Sequence, residues 1–266
     1  MSDILTCMAT DRSARPFLTA EWLYLAMLNY AVDPALLAPF VPAGTELDQF
    51  AGKTYVSLVG FRFERTRVRG LWIPFHSDFD EVNLRFYVRR DHGGSARRGV
   101  VFVREIVPRW AIAAVARTAF HEKYISLPMR HQVIEPTSEG GRVQARYEWR
   151  HGGQWCSLRV ECSGRPVRPK DGSIEQFITE HYWGYVAHPG GATLEYQVEH
   201  APWRVWQAST AAFQGDVAGL YGPELAQCLV RQPDSAFLAE GSSVAVYPGN
   251  SWEVSDAPST TRFSVR

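Results

Sequence analysis

The chain has 266 residues, 45% hydrophobic and 13% aromatic, which is enough apolar material for one large β-rich domain or two small ones. Its 28 basic and 28 acidic side chains cancel to a formal net charge of zero, excluding the basic excess of a broad nucleic-acid footprint or a polybasic membrane anchor. Only Lys53, Lys123 and Lys170 are lysines, so amine chemistry on a carbonyl has a very short list of candidates.

Residues 1–15 are polar, lack the apolar stretch of a secretory signal and read as an N-terminal tail. The apolar run 22–32 is too short to cross a bilayer as a helix; it is apolar on both parities and reads as a buried strand or a short helix, with the strand favoured. Asp33 followed by Pro34 starts a short helix that stops before Pro39 and Pro42. Residues 47–50 and 54–65 read as strands about the turn Ala51-Gly52-Lys53. Residues 81–90 and 99–107 read as antiparallel neighbours joined by a Gly93-Gly94 loop. The most convincing helix is 108–124, with Ile112, Ala113, Val115, Ala116, Ala119 and Phe120 on one face. Residues 142–150 and 154–163 alternate about His151-Gly152-Gly153 and form a hairpin, with Cys156, Leu158, Val160 and Cys162 inward. A short helix over 173–182, strands over 193–200 and 203–208, a helix over 216–229 and a final strand over 244–247 complete the domain. Residues 250–266 read as a loose C-terminal tail.

There is no internal repeat or low-complexity linker, so residues 16–249 read as a single domain. The class is α+β and β-dominated, with a sheet that closes or folds over itself. Cys156 and Cys162 share a strand face six residues apart, roughly 20 Å at strand rise, and cannot pair if that strand is straight. Neither they nor Cys7 and Cys228 form a CxxC or Cys/His metal spacing. The expectation is a soluble, cytoplasmic, reduced protein whose exposed strand edges suit a homodimer.

The most informative segment is 79–90. Val82, Leu84, Phe86 and Val88 point one way; Glu81, Asn83, Arg85, Tyr87 and Arg89 point the other. Same-face neighbours on a strand lie about 7 Å apart, which suits several contacts to one small ligand. Facing solvent or adjacent strands, the same row is structural. Arg104 shares parity with Phe102 and Ile106 and is expected either to enter a cavity opposite Glu81 or to form a structural salt bridge. His76, in a loop just ahead of the strand, suits a pocket rim or an acid–base role near neutral pH, set against the commoner reading of a surface loop residue. Glu180-His181-Tyr182, beside further aromatics, suits either the cover of a cavity mouth or ordinary amphipathic packing. No histidine has metal-ligand spacing, and no nucleophile elbow, phosphate loop or dinucleotide fingerprint occurs, so neither metal nor cofactor is expected.

A set of motifs in fixed order carries a resemblance. It runs from Trp22 and Asn29-Tyr30-Ala31-Val32-Asp33-Pro34 through Val41-Pro42-Ala43-Gly44-Thr45-Glu46-Leu47-Asp48 to Tyr55-Val56-Ser57-Leu58-Val59-Gly60-Phe61. It continues through Glu81-Val82-Asn83-Leu84-Arg85, Ala116-Arg117, Phe177-Ile178-Thr179-Glu180-His181-Tyr182 and His200-Ala201-Pro202-Trp203. Together these resemble the uncharacterised YqjF-like family of the acetoacetate decarboxylase-like superfamily. The resemblance implies an antiparallel β-barrel or cone with a central cavity and a few peripheral helices. The decarboxylase relatives form a Schiff base through a lysine, and a glutamate on an earlier strand lines their cavity. That glutamate most resembles Glu81. The lysine-bearing segment most resembles residues 121–130, and the lysine position falls on Met129, whose thioether forms no imine.

The resulting expectation is a small polar, carbonyl- or carboxylate-bearing ligand in a cavity lined by Asn83, Arg85, Arg104, Met129 and His76, with Glu81 as the acid–base residue. One alternative is a non-catalytic binder or sensor. The other is a Schiff-base decarboxylase or aldolase using Lys123, which requires a lowered amine pKa.

Overall fold

A computed structural model describes residues 15–138, 140–188 and 190–253; the readings made on residues 1–14, Cys7 among them, and on residues 254–266 lie outside the described residues. Alternation in the sequence becomes long strands. The chain opens with β1 (Leu18–Val32), a helical turn α1 (Pro34–Leu37), the short β2 (Glu46–Leu47), then β3 (Thr54–Val68), β4 (Leu71–Trp72), β5 (Phe79–His92) and β6 (Ser95–Val107). Helix α2 (Trp110–Phe120) follows, then β7 (Tyr124–Ser126), β8 (Met129–Ile134), β9 (Arg142–His151) and β10 (Gln154–Ser163). The last third holds α3 (Ile174–Thr179), β11 (Trp183–Ala187), β12 (Thr193–His200), β13 (Val205–Gln214), α4 (Ala218–Tyr221), α5 (Pro223–Leu229), β14 (Ser235–Val246) and β15 (Asn250–Trp252).

Pairing runs from β1 to β3, β5, β6, β11, β12 and β14, and β14 returns to β1, so the sheet closes into a ring. Only the β6–β11 step in that ring is parallel. A second antiparallel layer, β13-β10-β9-β8, leaves through β14 and folds back over the outside of the ring. Val82, Leu84, Phe86 and Val88 of β5 form one core with Tyr147, Trp149 and Leu158 of this outer layer. The approach is close: a Cβ on Gly60 would lie 2.6 Å from the Tyr147 ring, so only glycine fits there. The ring interior is a separate core that includes Leu25, Met27, Phe61, Phe63 and Phe79.

Several boundaries depart from the sequence expectations. The helix expected over 108–124 ends at His121, in left-handed backbone at φ 56°, and the chain then runs parallel to β6 as β7. The helix expected over 216–229 is two short helices broken at Gly222, φ 83°. The strand expected over 244–247 is the end of the much longer β14. Asn250–Trp252, expected in the loose tail, pairs with β12. Strands β8 and β11 were not anticipated at all.

Two irregularities shape the interior. Between Leu23 and Ala26 the register of β1 shifts, with Tyr24 at φ 53°. In β6, Leu84 faces Arg104 but Arg85 faces Phe102, leaving Val103 as the extra residue of a bulge. Phe102 and Arg104 therefore lie on opposite faces, although the sequence spaces them for the same one.

Candidate functional site

β5 crosses the ring with its polar face inward. Glu81, Asn83 and Arg85, at 2%, 1% and 8% exposure, line a cavity of about 300 Å³. Glu81 accepts from Asn83 Nδ2 at 2.9 Å through Oε1 and from the Tyr124 hydroxyl at 2.8 Å through Oε2. The β6 bulge turns Glu105 inward, directly across from Asn83. Glu122, in the link between α2 and β7, lines the same cavity and accepts from the Tyr196 hydroxyl at 2.8 Å. Sequence reasoning missed Glu105, Glu122, Tyr124 and Tyr196 as site residues. One signal was available: Tyr196 shares the inward parity of Leu194 and Val198 on β12.

Three buried carboxyl groups in one cavity do not all ionise together. Burial pushes Glu81 up to about 7, against the opposing pull of Asn83, Tyr124 and Arg85. Burial pushes Glu122 up to about 8. Glu105 rises well above the usual carboxylate range through burial and the fields of Glu122 and Glu81. Near neutral pH the cluster therefore holds protons more readily than exposed carboxylates do, and a carboxyl that keeps its proton can donate it.

Arg85 is the cation facing this group. Its Nη2 donates to the Ile178 carbonyl at 3.4 Å, its guanidinium lies 5.8 Å from the Tyr87 ring centroid, and its Nε has no acceptor. Among the described residues no carboxylate forms a salt bridge with it. Asn83 Oδ1 is also unpartnered. His181 lines the cavity with Nε2 3.4 Å from Asp48 Oδ2, and burial lowers its pKa to about 4. His76 lines the cavity from the loop ahead of β5, with Nδ1 2.9 Å from the Pro74 carbonyl.

Two expected lining residues are elsewhere. Arg104 is turned by the bulge to the outer face, where its field reaches Tyr221 and Lys123. Met129 opens β8 opposite Trp149 and packs against the outer core. Lys123 is also outside the lining set, its Nζ 5.1 Å from the Phe40 ring centroid.

The closed ring with its outer layer and central cavity defines an acetoacetate decarboxylase-like fold. The acetoacetate decarboxylase of Legionella pneumophila superposes with a TM-score of 0.61 at 13% identity, over 90% of this chain and 88% of that one. The enduracididine biosynthesis enzyme MppR with HEPES bound gives a TM-score of 0.65 at 13% identity, over 90% of this chain and 89% of that one. The pyruvate complex of MppR gives 0.61 at 13% identity, over 92% and 93%. The chain belongs to the DUF2071 family, described as an uncharacterized conserved protein, whose model matches residues 19–243. The uncharacterized protein YqjF of Bacillus subtilis (strain 168) is 24% identical over 202 residues, 76% of this chain and 80% of that protein. No helix among the described residues is long and apolar enough to cross a membrane.

Proposed function

We propose that this protein binds a small carboxylate- or carbonyl-bearing molecule in the central cavity and transforms it by proton transfer through Glu81. The observation that carries the reading is the state of Arg85. A buried guanidinium without a carboxylate partner is unfavourable by itself, and an anionic ligand oxygen beside its unpaired Nε supplies what the protein does not. Asn83, already holding Glu81, offers its free Oδ1 to a ligand donor. Arg85 fixes the carboxylate or enolate oxygen, and Glu81 takes up or returns the proton. The pyruvate bound to the structural relative MppR supports this ligand class.

Imine chemistry finds no support in the lining, which includes no lysine among the described residues, and Lys123 lies against Phe40. A cytoplasmic setting fits the buried, unpaired thiols of Cys156 and Cys162. The terminal strands β8 and β15 offer free main-chain groups to a second copy.

One observation favours a non-catalytic binder instead: both oxygens of Glu81 are already engaged, by Asn83 and Tyr124. Solvent exchange at the carbon beside the carbonyl separates the two. With pyruvate in deuterium oxide, NMR should show exchange accelerated by the wild-type protein and abolished in Glu81→Gln, with pyruvate binding retained. Binding without accelerated exchange in the wild type establishes the binder. Borohydride treatment with pyruvate should leave no reduced adduct on Lys123.

A further inference from the structure

The polar row occupies only part of the cavity wall. Beyond it the lining turns aromatic, and the sheet register shows how. Trp22 of β1 is the cross-strand partner of Phe63 of β3, which is the partner of Phe79 of β5. These three residues form one row across the sheet, and all three line the cavity. The Trp22 and Phe63 rings are 5.6 Å apart, and Phe63 stacks on Phe79 at 4.5 Å with planes 13° apart. Phe61 joins them, 5.4 Å from Trp22 and directly opposite Glu81 on the neighbouring strand. Along β5 the inward order is thus Phe79, Glu81, Asn83, Arg85: an aromatic platform, an acid, an amide and a cation, spaced about 7 Å apart.

The aromatic end is also the end that opens outward. Ile73 and Val115 line the cavity and are 40% and 41% exposed. Phe75 and Trp110, in the same two segments, are 81% and 75% exposed. The wall between the β4 loop and α2 therefore carries apolar surface from the interior to solvent. A cavity of about 300 Å³ also holds about ten water volumes, more than a three-carbon oxo acid fills.

We propose, on the strength of the head-group reading above, that the ligand is an amphiphile: a carboxylate- or carbonyl-bearing head at Arg85, Asn83 and Glu81, and a ring-bearing apolar tail on Trp22, Phe61, Phe63 and Phe79. The tail lies toward the opening, so the ligand enters head first. A short oxo acid fits the head alone and leaves the aromatic row wet.

Isothermal titration of the full chain with pyruvate, 4-phenyl-2-oxobutanoate and 4-phenylbutan-1-ol tests this. The phenyl oxo acid should bind at least ~30-fold more tightly than pyruvate, as expected for burying one phenyl ring. Phe63→Leu should shrink that gap to about 5-fold or less while pyruvate affinity holds. Phe79→Leu serves as the second variant if Phe63→Leu loses its native circular dichroism. Equal affinity for pyruvate and the phenyl oxo acid overturns the tail and leaves the head-group reading intact. A gap that survives both substitutions has the same meaning. If the alcohol binds as tightly as the oxo acid and Arg85→Met changes neither, the head-group reading fails and takes the amphiphile with it. Absence of binding by all three compounds overturns both.

Discussion

The two faces of β5 are both buried and chemically opposite. Val82, Leu84, Phe86 and Val88 are fully buried and meet the outer layer around Tyr147 and Trp149. Glu81, Asn83 and Arg85, alternating with them, are also buried but face a void, and Asn83 Oδ1 and Arg85 Nε retain unmade hydrogen bonds. Burial thus has two meanings within one strand. On the outer face it is dispersion and exclusion of water, which stabilise the fold. On the inner face it is desolvation of polar groups, which opposes the fold and leaves binding capacity unspent. Substitutions on the two faces are therefore expected to act in opposite directions.

The largest effect belongs to the outer face. Phe86→Ala removes a fully buried ring from the layer contact and should lower unfolding free energy by about 3–5 kcal/mol in urea titration. The inner face should behave otherwise. Arg85→Met replaces an unpaired buried cation with an apolar side chain beside Met27, and stability should hold or rise by about 1–4 kcal/mol. The same change should weaken binding of a carboxylate ligand by about 10- to 150-fold through loss of a charged hydrogen bond. If Arg85→Met destabilises as much as Phe86→Ala, the guanidinium is structural and the contrast between the faces disappears.

This contrast also marks what the sequence discloses. The alternation of β5 is local, so its two faces are legible from residues 79–90 alone. Which face meets a void depends on β14 pairing with both β1 and β12, a contact distant in the chain. β14 itself was hidden by Glu240-Gly241-Ser242-Ser243, which carries no strand-like alternation. Gly241 is there because β1 passes too close for any side chain: a Cβ would sit 1.8 Å from the Trp22 carbonyl oxygen. A single bulge explains the exchange of Arg104 for Glu105, since one extra residue inverts every later side chain. Correspondence with a lysine position points Met129 toward the cavity. The pairing of β8 with β9 carries it to the outer core instead.

The smallest expected effect is electrostatic and lies wholly on the inner face. Glu81 and Glu122 move from an ordinary 4.5 to about 7 and about 8 in the folded chain. Between those values the native state binds more protons than the unfolded state, so stability falls as pH rises. Their contribution is complete below the ordinary value and is lost as pH climbs through about 7 and then about 8. His181 acts in the other direction: lowered from 6.5 to about 4, it favours the fold above 6.5 and loses that effect as pH falls through about 4. Below about 6.5 the two effects oppose each other; above it melting temperature should decline until about pH 8, where both carboxyls are ionised in both states and the slope ends. Glu122→Gln keeps an oxygen for the Tyr196 hydroxyl but cannot ionise, so its alkaline limb should be flatter than that of the wild type. The acid limb, set by His181 and by Asp48, whose pKa is held down to about 2 with His181 and Arg98 as its partners, should be unchanged. Parallel alkaline limbs in the two proteins would mean that Glu122 is as fully ionised in the folded chain as in the unfolded one, so that its burial would carry no electrostatic cost.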